Sequence, residues 1–586
     1  MELTFRTFNH EIFNDRYAAF KGETWEQLAR RVAHYAARAE LTEENKKIWE
    51  NVFYKAIKEQ KLIPAGRILR SAGSSRKLSA FNCFVLPSPE DSRHGIIDTL
   101  KNMVEIMANG GGVGINISSL RPKSHPVYGV DGKSSGSVSW GELYSFATGL
   151  VEQGGSRRGA LMLTLHIDHP DILEFISVKR DMQRANNANL SVLVTDAFMR
   201  AVREDVMWEF RFPDTQHENY KNWDGDFDVY PGPFNIYSTI KARDLWYQIA
   251  ENAHASAEPG VIFWDTVQKG NPLSYAVRFA SVNPCQEKPL PANGVCNLAS
   301  LNLANLEEKD IGEYTKIAVR FLDNIVNVGY AVLDEVEETN LRDRRIGVGV
   351  LGLHTFLLQR DIPYNAAAKE FVWYLFKNMY NAALEASCTL AEEKGSFDTF
   401  DAKAFLSTPF ARSRLSDKQK EMIKSKGLRN AELLSVAPTG TIATMLGEST
   451  GIEPFFTLAP YVRHSRIGDI VVEGHPDYEE NNPLYFGAQE IRVSDHLEIL
   501  AAAAYWVDAS ISKTVNLAED ATVKAVQAVY EYAHKHRIKG VTVYRDKSRN
   551  QQVLENVLTC SECGGIMIAE SGCHTCRDCG FSFCSV

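Results

Sequence analysis

The sequence predicts an α/β protein whose strands pair mainly in parallel. Short apolar runs, typical of buried strands, alternate with longer stretches in which apolar residues recur at helical spacing. The runs cover 161–165, 346–351, 433–436 and 541–544, and one long predicted helix covers about 371–393. Strands separated by helices favour parallel pairing, because parallel neighbours need a crossover connection. Cys388 extends the apolar face of the long helix and is predicted to be a core thiol.

Composition changes at both ends of this α/β region. Trp25, Leu28, Val32 and Tyr35 recur at helical spacing, so residues 1–61 are predicted to be a helical segment and 62–545 the α/β region. The polar stretch RDKSRNQQ follows, which predicts a linker over 546–558. Residues 559–586 form a separate tail that holds six of the ten cysteines.

The net charge and the N-terminus exclude several classes of protein. A formal net charge of −10 argues against general binding to nucleic acid, which needs a basic surface. The sequence has neither the apolar core of a signal peptide nor an apolar run long enough to span a bilayer, so a cytoplasmic protein without a membrane partner is expected. In that compartment cysteines are more often metal ligands or redox groups than structural disulfides.

Residues 283–291 place three kinds of reactive side chain in a short segment. Its three prolines exclude a helix and favour an extended chain. An extended chain has a side-chain period of two, so Asn283, Cys285 and Glu287 are predicted to face the same way. An amide, a thiol and a carboxylate on one face would form a reactive cluster. This segment alone fits a surface loop with an incidental cysteine equally well.

Further segments show which of these two interpretations applies. The relevant ones are Cys296-Asn297-Leu298-Ala299-Ser300-Leu301-Asn302-Leu303, Asn82-Cys83-Phe84-Val85-Leu86, GGVGIN at 111–116, GGSRRG at 154–159, RIGVGV at 345–350, APTGTIA at 437–443 and STGIEP at 449–454. Together with 283–291 they resemble the ribonucleotide reductase family, and they occur in the family's order between about residues 62 and 545. One such motif would be weak, but an ordered set is specific.

The resemblance implies a ten-stranded α/β barrel with a central finger loop that carries Cys285. It implies a thiyl radical on Cys285 that abstracts the ribose 3′-hydrogen, with Glu287 as general base on the 3′-hydroxyl and Asn283 hydrogen-bonded to the substrate. Cys83 and Cys296 would supply two reducing equivalents and end as a disulfide.

A phosphate site is expected where the predicted strand 433–436 ends. A glycine-containing loop after a strand lets backbone N–H groups converge on a phosphate, although an isolated PTGT would be an ordinary turn. Within the resemblance, the substrate-binding residues are predicted to be Asn82, Pro438, Thr439, Gly440, Thr441 and Ile442. Many members of the family have a serine where this chain has Asn82.

Two segments, 121–134 and 152–159, resemble loops that connect an allosteric effector to the substrate base. The resemblance implies a deoxynucleoside triphosphate or ATP as effector, bound by Asp91, Ser92 and Arg121, with Arg157 between the two sites. It also implies a homodimer. Solvated arginines on mobile loops remain the alternative.

The tail is predicted to bind zinc and to carry a redox pair. Cys560, Cys563, Cys573 and Cys576 form two C-x2-C pairs, whose four thiolates could close a tetrahedron. Cys579 and Cys584 would then re-reduce the disulfide in the barrel, with thioredoxin or a similar protein as the reductant. The division is open, because Cys576 and Cys579 also suit a zinc knuckle that would leave Cys573 and Cys584 over.

The tail and the VTVYRD run resemble the adenosylcobalamin-dependent class of reductases. Tyr544 is followed by Arg545, so the paired tyrosines of enzymes with a separate radical subunit are missing. A chain fed by a separate metalloprotein subunit remains the alternative enzyme, and a non-catalytic zinc-ribbon protein that binds nucleic acid is less favoured. Diphosphate substrates are preferred, with triphosphates left open.

Overall fold

The structure is a computed structural model, and it confirms the α/β class. It describes residues 8–128, 131–153, 157–181, 183–459, 461–465, 468–472, 475, 477–479, 481–546, 548, 554–556, 567–570, 573–576 and 579–584. The helices are His10–Arg16, Trp25–Ala37, Glu43–Lys58, Gly66–Ser71, Arg93–Ala108, Ser137–Leu150, Ile172–Ser177, Asp196–Glu204, Ala242–Ser256, Trp264–Lys269, Ile311–Val328, Asp334–Asp343, Leu353–Leu358, Lys369–Lys394, Ala402–Ser407, Pro409–Arg414, Asp417–Lys426, Gly440–Leu446, Val493–Ala504 and Val523–Lys535.

Five parallel strands form the first half of the central barrel. In chain order they are Cys83–Val85, Gly112–Asn116, Leu161–His166, Ala188–Val194 and Gly260–Phe263, and each pairs in parallel with the next. Almost every residue of these strands is buried, because helices cover the outside and the finger loop fills the inside. Such continuous apolar strands are typical of parallel sheets buried on both faces.

The second half of the barrel consists of four strands and one less regular extended segment, 433–436. Leu298–Asn302 pairs in parallel with Gly347–Leu351, and Thr514–Leu517 pairs in parallel with Gly540–Arg545. Segment 433–436 lies between these two pairs through parallel bridges from Leu434 to Val348 and from Val436 to Ile511. The sequence predicted a strand there, but the Asp508 carboxylate accepts from the N–H groups of residues 433 and 434 at 2.9 and 2.7 Å, so the regular ladder is interrupted.

The two halves join by antiparallel pairing on both sides. Gly260–Phe263 lies antiparallel to Gly540–Arg545 at one seam. At the other seam Gly294–Val295 lies antiparallel to Cys83–Val85, and its chain continues into Leu298–Asn302. The ten-stranded barrel implied by the resemblance is therefore present. The strands of one half run in the opposite direction to the strands of the other half.

The N-terminal helices pack on the outside of the second half. Glu40, between the helices Trp25–Ala37 and Glu43–Lys58, accepts two hydrogen bonds from Arg320 at 2.9 Å each, and it lies 3.2 Å from Lys394. Phe53 meets Phe321 edge to face at 5.3 Å between ring centroids. The contacts reach Ile311–Val328 and Lys369–Lys394, two long helices that cover the barrel.

Cys388 lies in the helix Lys369–Lys394, as predicted. Its side chain is buried, and burial raises the pKa of the thiol to about 12. A thiol with such a pKa stays protonated at neutral pH and is a poor nucleophile.

Shorter strands complete the structure. They are Leu62–Pro64, Pro126–Val127, Gly132–Lys133, Glu152–Gln153, Arg157–Arg158, Met207–Pro213, Phe234–Lys241, Ser281–Val282, Pro289–Leu290, Gly294–Val295, Tyr461–Ser465, Gly468–Val472, Leu554–Asn556, Met567–Glu570, Cys573–Cys576 and Ser582–Cys584. Leu554–Asn556 falls within the predicted linker and pairs with Tyr461–Ser465. Among the described residues, no helix is long and apolar enough to cross a membrane.

Candidate active site

The finger loop is a hairpin inside the barrel. Ser281–Val282 and Pro289–Leu290 pair antiparallel, and the chain reverses between them. The N–H of Gln286 donates to the carbonyl of Asn283 at 3.0 Å, and Gln286 has a φ of +67°. The predicted extended chain over 283–287 is therefore wrong, because a left-handed residue turns it back. Cys285 is exposed at this turn, whereas Asn283 and Glu287 are buried.

Side chains from the first half hold the tip of the hairpin. Asn189 Nδ2 donates to the carbonyl of Pro284 at 3.0 Å, and Gln286 Nε2 donates to Ser191 Oγ at 2.8 Å. At Gly114 a Cβ would lie 1.9 Å from the carbonyl oxygen of Val282. Only a glycine at this position lets the loop approach the strand so closely.

The second half holds the returning arm of the hairpin. The Glu287 carbonyl accepts from Ser435 Oγ at 2.8 Å and from the N–H of Ser510 at 3.0 Å. Lys288 Nζ donates to the carbonyl of Ile346 at 2.6 Å and lies 2.7 Å from Glu432 Oε2, with neither charged side chain exposed. The loop is thus tied to both halves of the barrel, which fixes the height and direction of Cys285.

Cys83 and Cys296 lie next to each other across the seam. The N–H of Cys296 donates to the carbonyl of Cys83 at 2.8 Å. Burial raises the pKa of Cys296 well above its usual value, and a hydrogen bond with the Cys83 thiol raises it further. Neither sulfur is in a disulfide in this structure. The two side chains are therefore close enough to interact, and the Cys296 thiol stays protonated at neutral pH.

The thiol pair borders the finger loop. A Cβ placed on Gly112 would lie 3.3 Å from Cys83 Sγ and 3.2 Å from Pro284 Cγ. The thiol and the residue before Cys285 therefore flank the same glycine. Glu287 also lies near enough to Cys296 for its charge to raise the pKa of that thiol. The structure thus brings together Cys83, Asn283, Cys285, Glu287 and Cys296, five residues that the sequence singled out in three segments.

Among the buried polar atoms that make no well-formed hydrogen bond within the described residues, three belong to side chains of this site. They are Asn82 Oδ1, Asn283 Nδ2 and Glu287 Oε2. Buried polar groups in folded proteins are nearly always hydrogen-bonded, so a cluster of unpaired ones marks the place where a polar ligand binds. One amide donor, one amide acceptor and one carboxylate suit a ligand with several hydroxyl groups.

The carboxyl group of Glu287 has an unusual pKa. Complete burial raises the pKa of Glu287 to about 7, and the nearby Asn283 amide opposes this shift. Burial disfavours the charged form because the protein interior solvates a carboxylate poorly. A carboxyl group with a pKa near neutrality can take up and release a proton under physiological conditions.

The predicted phosphate loop leaves the barrel after segment 433–436. Thr439 has a φ of +50°, precedes the helix Gly440–Leu446, and accepts from the N–H of Gly451 at 2.9 Å through its hydroxyl. Pro438, Thr439, Gly440 and Thr441 are half-buried, and Ile442 is buried. No side chain of the described structure lies within 4 Å of a Cβ built on Gly440, which leaves open space above the loop.

Two of the residues predicted to bind an effector, Asp91 and Arg121, form a hydrogen-bonded ion pair with each other. Arg121 Nε donates to Asp91 Oδ2 at 2.6 Å, and the hydroxyl of Tyr220 also donates to this carboxylate. Ser92 caps the helix Arg93–Ala108 by accepting from the N–H of Gly95 at 3.0 Å. The side chain of Arg157 lies outside the described part of the structure.

The tail cysteines are described only in part. Cys560 and Cys563 lie outside the described residues, and Cys579 is exposed. Cys573 and Cys576 are on one strand, whose register places Cys573 directly opposite Cys584. The first division made from the sequence assigned Cys573 and Cys584 to different sites, whereas the alternative division left these two over together.

Sequence reasoning missed the charged residues that anchor the finger loop. Lys288 faces Glu432, and Arg345 Nη1 lies 3.5 Å from the second oxygen of that carboxylate. Burial, and then the charge of Glu432, raises the pKa of Asp508 to about 6. These residues carry no motif, and their partners are more than 50 residues away in the chain, so no local pattern could have identified them.

Two family models match the chain. The ribonucleotide reductase barrel domain matches residues 81–544, and the ribonucleotide reductase all-alpha domain matches residues 4–77. These two ranges meet close to the point where the helical N-terminal region gives way to the barrel.

Curated relatives agree with the family models. The chain is 35% identical to a vitamin B12-dependent ribonucleoside-diphosphate reductase of Mycobacterium tuberculosis, over 92% of this chain and 78% of the relative. A protein of the same name from Thermoplasma acidophilum is 33% identical over 86% of this chain and 66% of its own length. The ribonucleoside-diphosphate reductase large subunit of Caenorhabditis elegans is 31% identical over 72% and 57%. On these matches and on the barrel geometry, the chain belongs to the ribonucleotide reductase large-chain family.

Proposed function

We propose that this chain reduces ribonucleoside diphosphates to 2′-deoxyribonucleoside diphosphates through a thiyl radical on Cys285. The observation that carries the proposal is the adjacency of the Cys83 and Cys296 thiols, beside a loop that exposes Cys285 and buries Asn283 and Glu287. The single thiol of Cys285 would carry the radical, and the thiols of Cys83 and Cys296 would supply the two electrons for the reduction.

The proposed reaction starts at the ribose. The Cys285 thiyl takes the hydrogen atom from C3′, while Glu287 accepts the proton of the 3′-hydroxyl and Asn283 Nδ2 donates to the substrate. The 2′-hydroxyl then leaves as water with a proton from the thiol pair. Cys83 and Cys296 supply two electrons and form a disulfide, and Cys285 returns the hydrogen atom to C3′. The sum is one ribonucleotide and two thiols converted to one deoxyribonucleotide, one water and one disulfide.

The substrate phosphates are proposed to bind at residues 438–442. The loop is half-buried, has open space above Gly440, and turns into a helix at Thr439. Backbone N–H groups at such a turn favour an anion. Asn82, whose Oδ1 is buried without a partner, would contact the substrate nearby.

Adenosylcobalamin is the proposed source of the radical. Two of the relatives above are named vitamin B12-dependent. The cofactor supplies a carbon-centred radical when its cobalt–carbon bond breaks. The chain fits such a source, because Cys285 is exposed and can be reached from outside the hairpin. Arg545, which stands where a second tyrosine would, is bound to the carbonyls of His254 and Glu519 at 3.1 and 3.0 Å.

The tail is proposed to bind zinc and to regenerate the thiol pair with thioredoxin or a similar reductant. One division gives zinc to Cys560, Cys563, Cys573 and Cys576 and leaves Cys579 and Cys584 as the redox pair. The register of Cys573 opposite Cys584 supports the other division, in which these two are the redox pair. Cross-strand neighbours lie at a distance compatible with a disulfide.

Regulation and assembly follow the same family pattern. We place a nucleotide effector near Asp91, Ser92 and Arg121, with Arg157 towards the substrate, in a homodimer located in the cytoplasm. The half-buried Arg121 guanidinium supports this, because it already binds one carboxylate and could exchange it for a phosphate.

The test is anaerobic reduction of CDP and CTP by this chain with dithiothreitol and a deoxynucleotide effector. Deoxycytidine product from CDP that requires adenosylcobalamin is the expected result. Faster reduction of CTP would replace the diphosphate assignment. Turnover only after addition of a separate metalloprotein subunit would favour the alternative radical source, and zinc and nucleic-acid binding without any turnover would favour the non-catalytic alternative.

A further inference from the structure

A pocket is lined by none of Cys83, Cys285, Cys296, Asn283 and Glu287. It surrounds the start of the strands Thr514–Leu517 and Gly540–Arg545, and it is lined by 507, 509–511 and 536–540 together with parts of four helices. Its volume is about 670 Å³, within the range of small-molecule sites, roughly 300–1,000 Å³.

The lining of this pocket is positively charged, although the whole chain carries a net charge of −10. Six basic residues line it, and none of the described lining residues is acidic: Lys269, Lys369, Arg414, His536, Arg537 and Lys539. Lys269 and Lys369 are neutralised by neighbouring carboxylates. Within the described structure, Arg414, Arg537 and Lys539 have no carboxylate within 4.0 Å. The Lys539 ammonium donates to the carbonyls of Asp508 and Ala509, so Arg414 and Arg537 are the lining cations left to attract an anionic ligand.

Aromatic side chains form one wall beside these cations. Trp373 and Tyr505 lie 6.2 Å apart between ring centroids, and the Arg414 guanidinium lies 4.5 Å above the Tyr505 ring. Phe410 belongs to the same wall. Tyr505 keeps 43% of its surface exposed, which is high for a large aromatic residue that lines a pocket. A flat aromatic group can stack on such a wall, and a phosphate alone would not use it.

An adjoining pocket extends the charged surface. Its volume is about 550 Å³, and it shares Thr266 and Arg537 with the first pocket. It adds Arg200, Arg203 and Lys535, alongside the acidic Asp196 and Glu531. A chain of phosphates that starts near Arg414 could continue past Arg537 into this second space.

We propose that this pocket binds a phosphorylated nucleoside, with the base against Trp373 and Tyr505 and the phosphates on Arg414 and Arg537. The site is separate from the catalytic thiols and from Asp91 and Arg121, and the proposal does not depend on the proposed function. Its ligand contacts none of the residues placed in the catalytic machinery.

The test is photoaffinity labelling of the full chain with 8-azido-ATP, followed by mass spectrometry of the labelled peptides. Label is expected in peptides that contain 369–373, 409–414, 500–511 or 536–540, and excess ATP should displace it. Arg414→Ala is expected to reduce this label at least tenfold. Arg412→Ala is the matched control, because Arg412 lies on the same helix, is exposed, and does not line the pocket.

Several results would overturn the proposal. They are the absence of label from these peptides, equal label in Arg414→Ala and wild type, and displacement by tripolyphosphate as efficient as displacement by ATP, which would show binding of phosphate alone. Arg537→Ala is a second variant, expected to weaken labelling at least threefold. Arg537 is exposed, so its loss removes no buried contact and the result stands even if Arg414→Ala fails to fold.

Discussion

Glu287 and Asn283 are buried polar residues, and each has one polar side-chain atom without a well-formed hydrogen bond to the described residues. Glu287 Oε2 and Asn283 Nδ2 are unpaired among the described residues, which costs stability unless a ligand supplies the partner. Burial raises the pKa of Glu287 to about 7, so half of the molecules carry the ionised form near neutral pH. A carboxyl group that is half ionised near neutral pH can serve as the base that the proposed reaction needs.

This pKa predicts the pH dependence of turnover. Glu287 must be ionised to accept the 3′-hydroxyl proton, so activity rises as the pH rises through 7. From pH 6 to pH 8 the ionised fraction increases roughly tenfold, and kcat for CDP should follow it. Measurement of kcat at saturating CDP across this range checks the expectation. A flat profile, or appreciable turnover by Glu287→Gln, would contradict the role of the carboxylate.

The finger loop is an element whose position depends on close packing with its neighbours. Gly114 allows the Val282 carbonyl to approach the strand Gly112–Asn116, and the hairpin behind it carries Cys285. A shift of about 1 Å in a reacting group can cost about 100-fold in rate. Catalysis is therefore expected to be more sensitive to this packing than overall stability is.

Gly114→Ala tests the packing. The new Cβ would overlap the Val282 carbonyl, so the loop must move and CDP reduction should fall by roughly 100-fold. Gly312→Ala is the control, because the nearest atom to its Cβ is Ala382 Cβ at 3.9 Å. Equal activity of the two variants would show that the loop tolerates displacement. Circular dichroism should show both variants folded.

The finger loop is also held by the buried ion pair between Lys288 and Glu432. Removing Lys288 leaves Glu432 buried without its closest ion-pair partner, so Lys288→Met should lower the free energy of unfolding by about 3–5 kcal/mol. Lys316→Met removes an exposed pair with Glu385 and should cost at most about 1 kcal/mol. Denaturant unfolding of both variants gives the comparison. Similar losses would show that the buried pair does not anchor the loop.

On the scale of the whole molecule, the ten-strand order brings distant segments to one place. Cys83 and Cys296 meet because the two barrel halves join antiparallel at this seam. Residue types and spacing predicted the α/β class, the long helix and the core thiol Cys388. The family resemblance, and not spacing, implied the barrel and the pairing of Cys83 with Cys296, because contacts between distant segments leave no local periodicity.

Local rules failed where tertiary contacts override them. Prolines excluded a helix at 283–291 correctly, but the left-handed Gln286 and its bonds to the barrel wall produced a turn instead of an extended chain. Segment 433–436 lost its regular ladder to the Asp508 carboxylate. The Lys288 anchor was missed because a single lysine in a sequence gives no sign of a buried partner 144 positions later.

Truncation of the tail is expected to spare a single turnover and to abolish continued turnover. Truncation before Cys560 leaves the barrel thiols intact, so one equivalent of deoxynucleotide per reduced chain should still form. Continued turnover with thioredoxin should be lost, because the proposed role of the tail cysteines is to relay electrons to the barrel disulfide. Product per chain, measured with thioredoxin and with dithiothreitol, distinguishes the two cases. Full thioredoxin-driven turnover by the truncated chain would remove the tail from the reaction.

The most direct test of the central claim is anaerobic formation of dCDP by wild type and by Cys285→Ser, with adenosylcobalamin and dithiothreitol present. Cys285 is exposed at the hairpin turn, so the substitution should leave the fold unchanged. The account predicts dCDP from the wild type and none above background from Cys285→Ser. Product from Cys285→Ser at the wild-type rate would contradict a reaction that depends on a thiyl radical at this position.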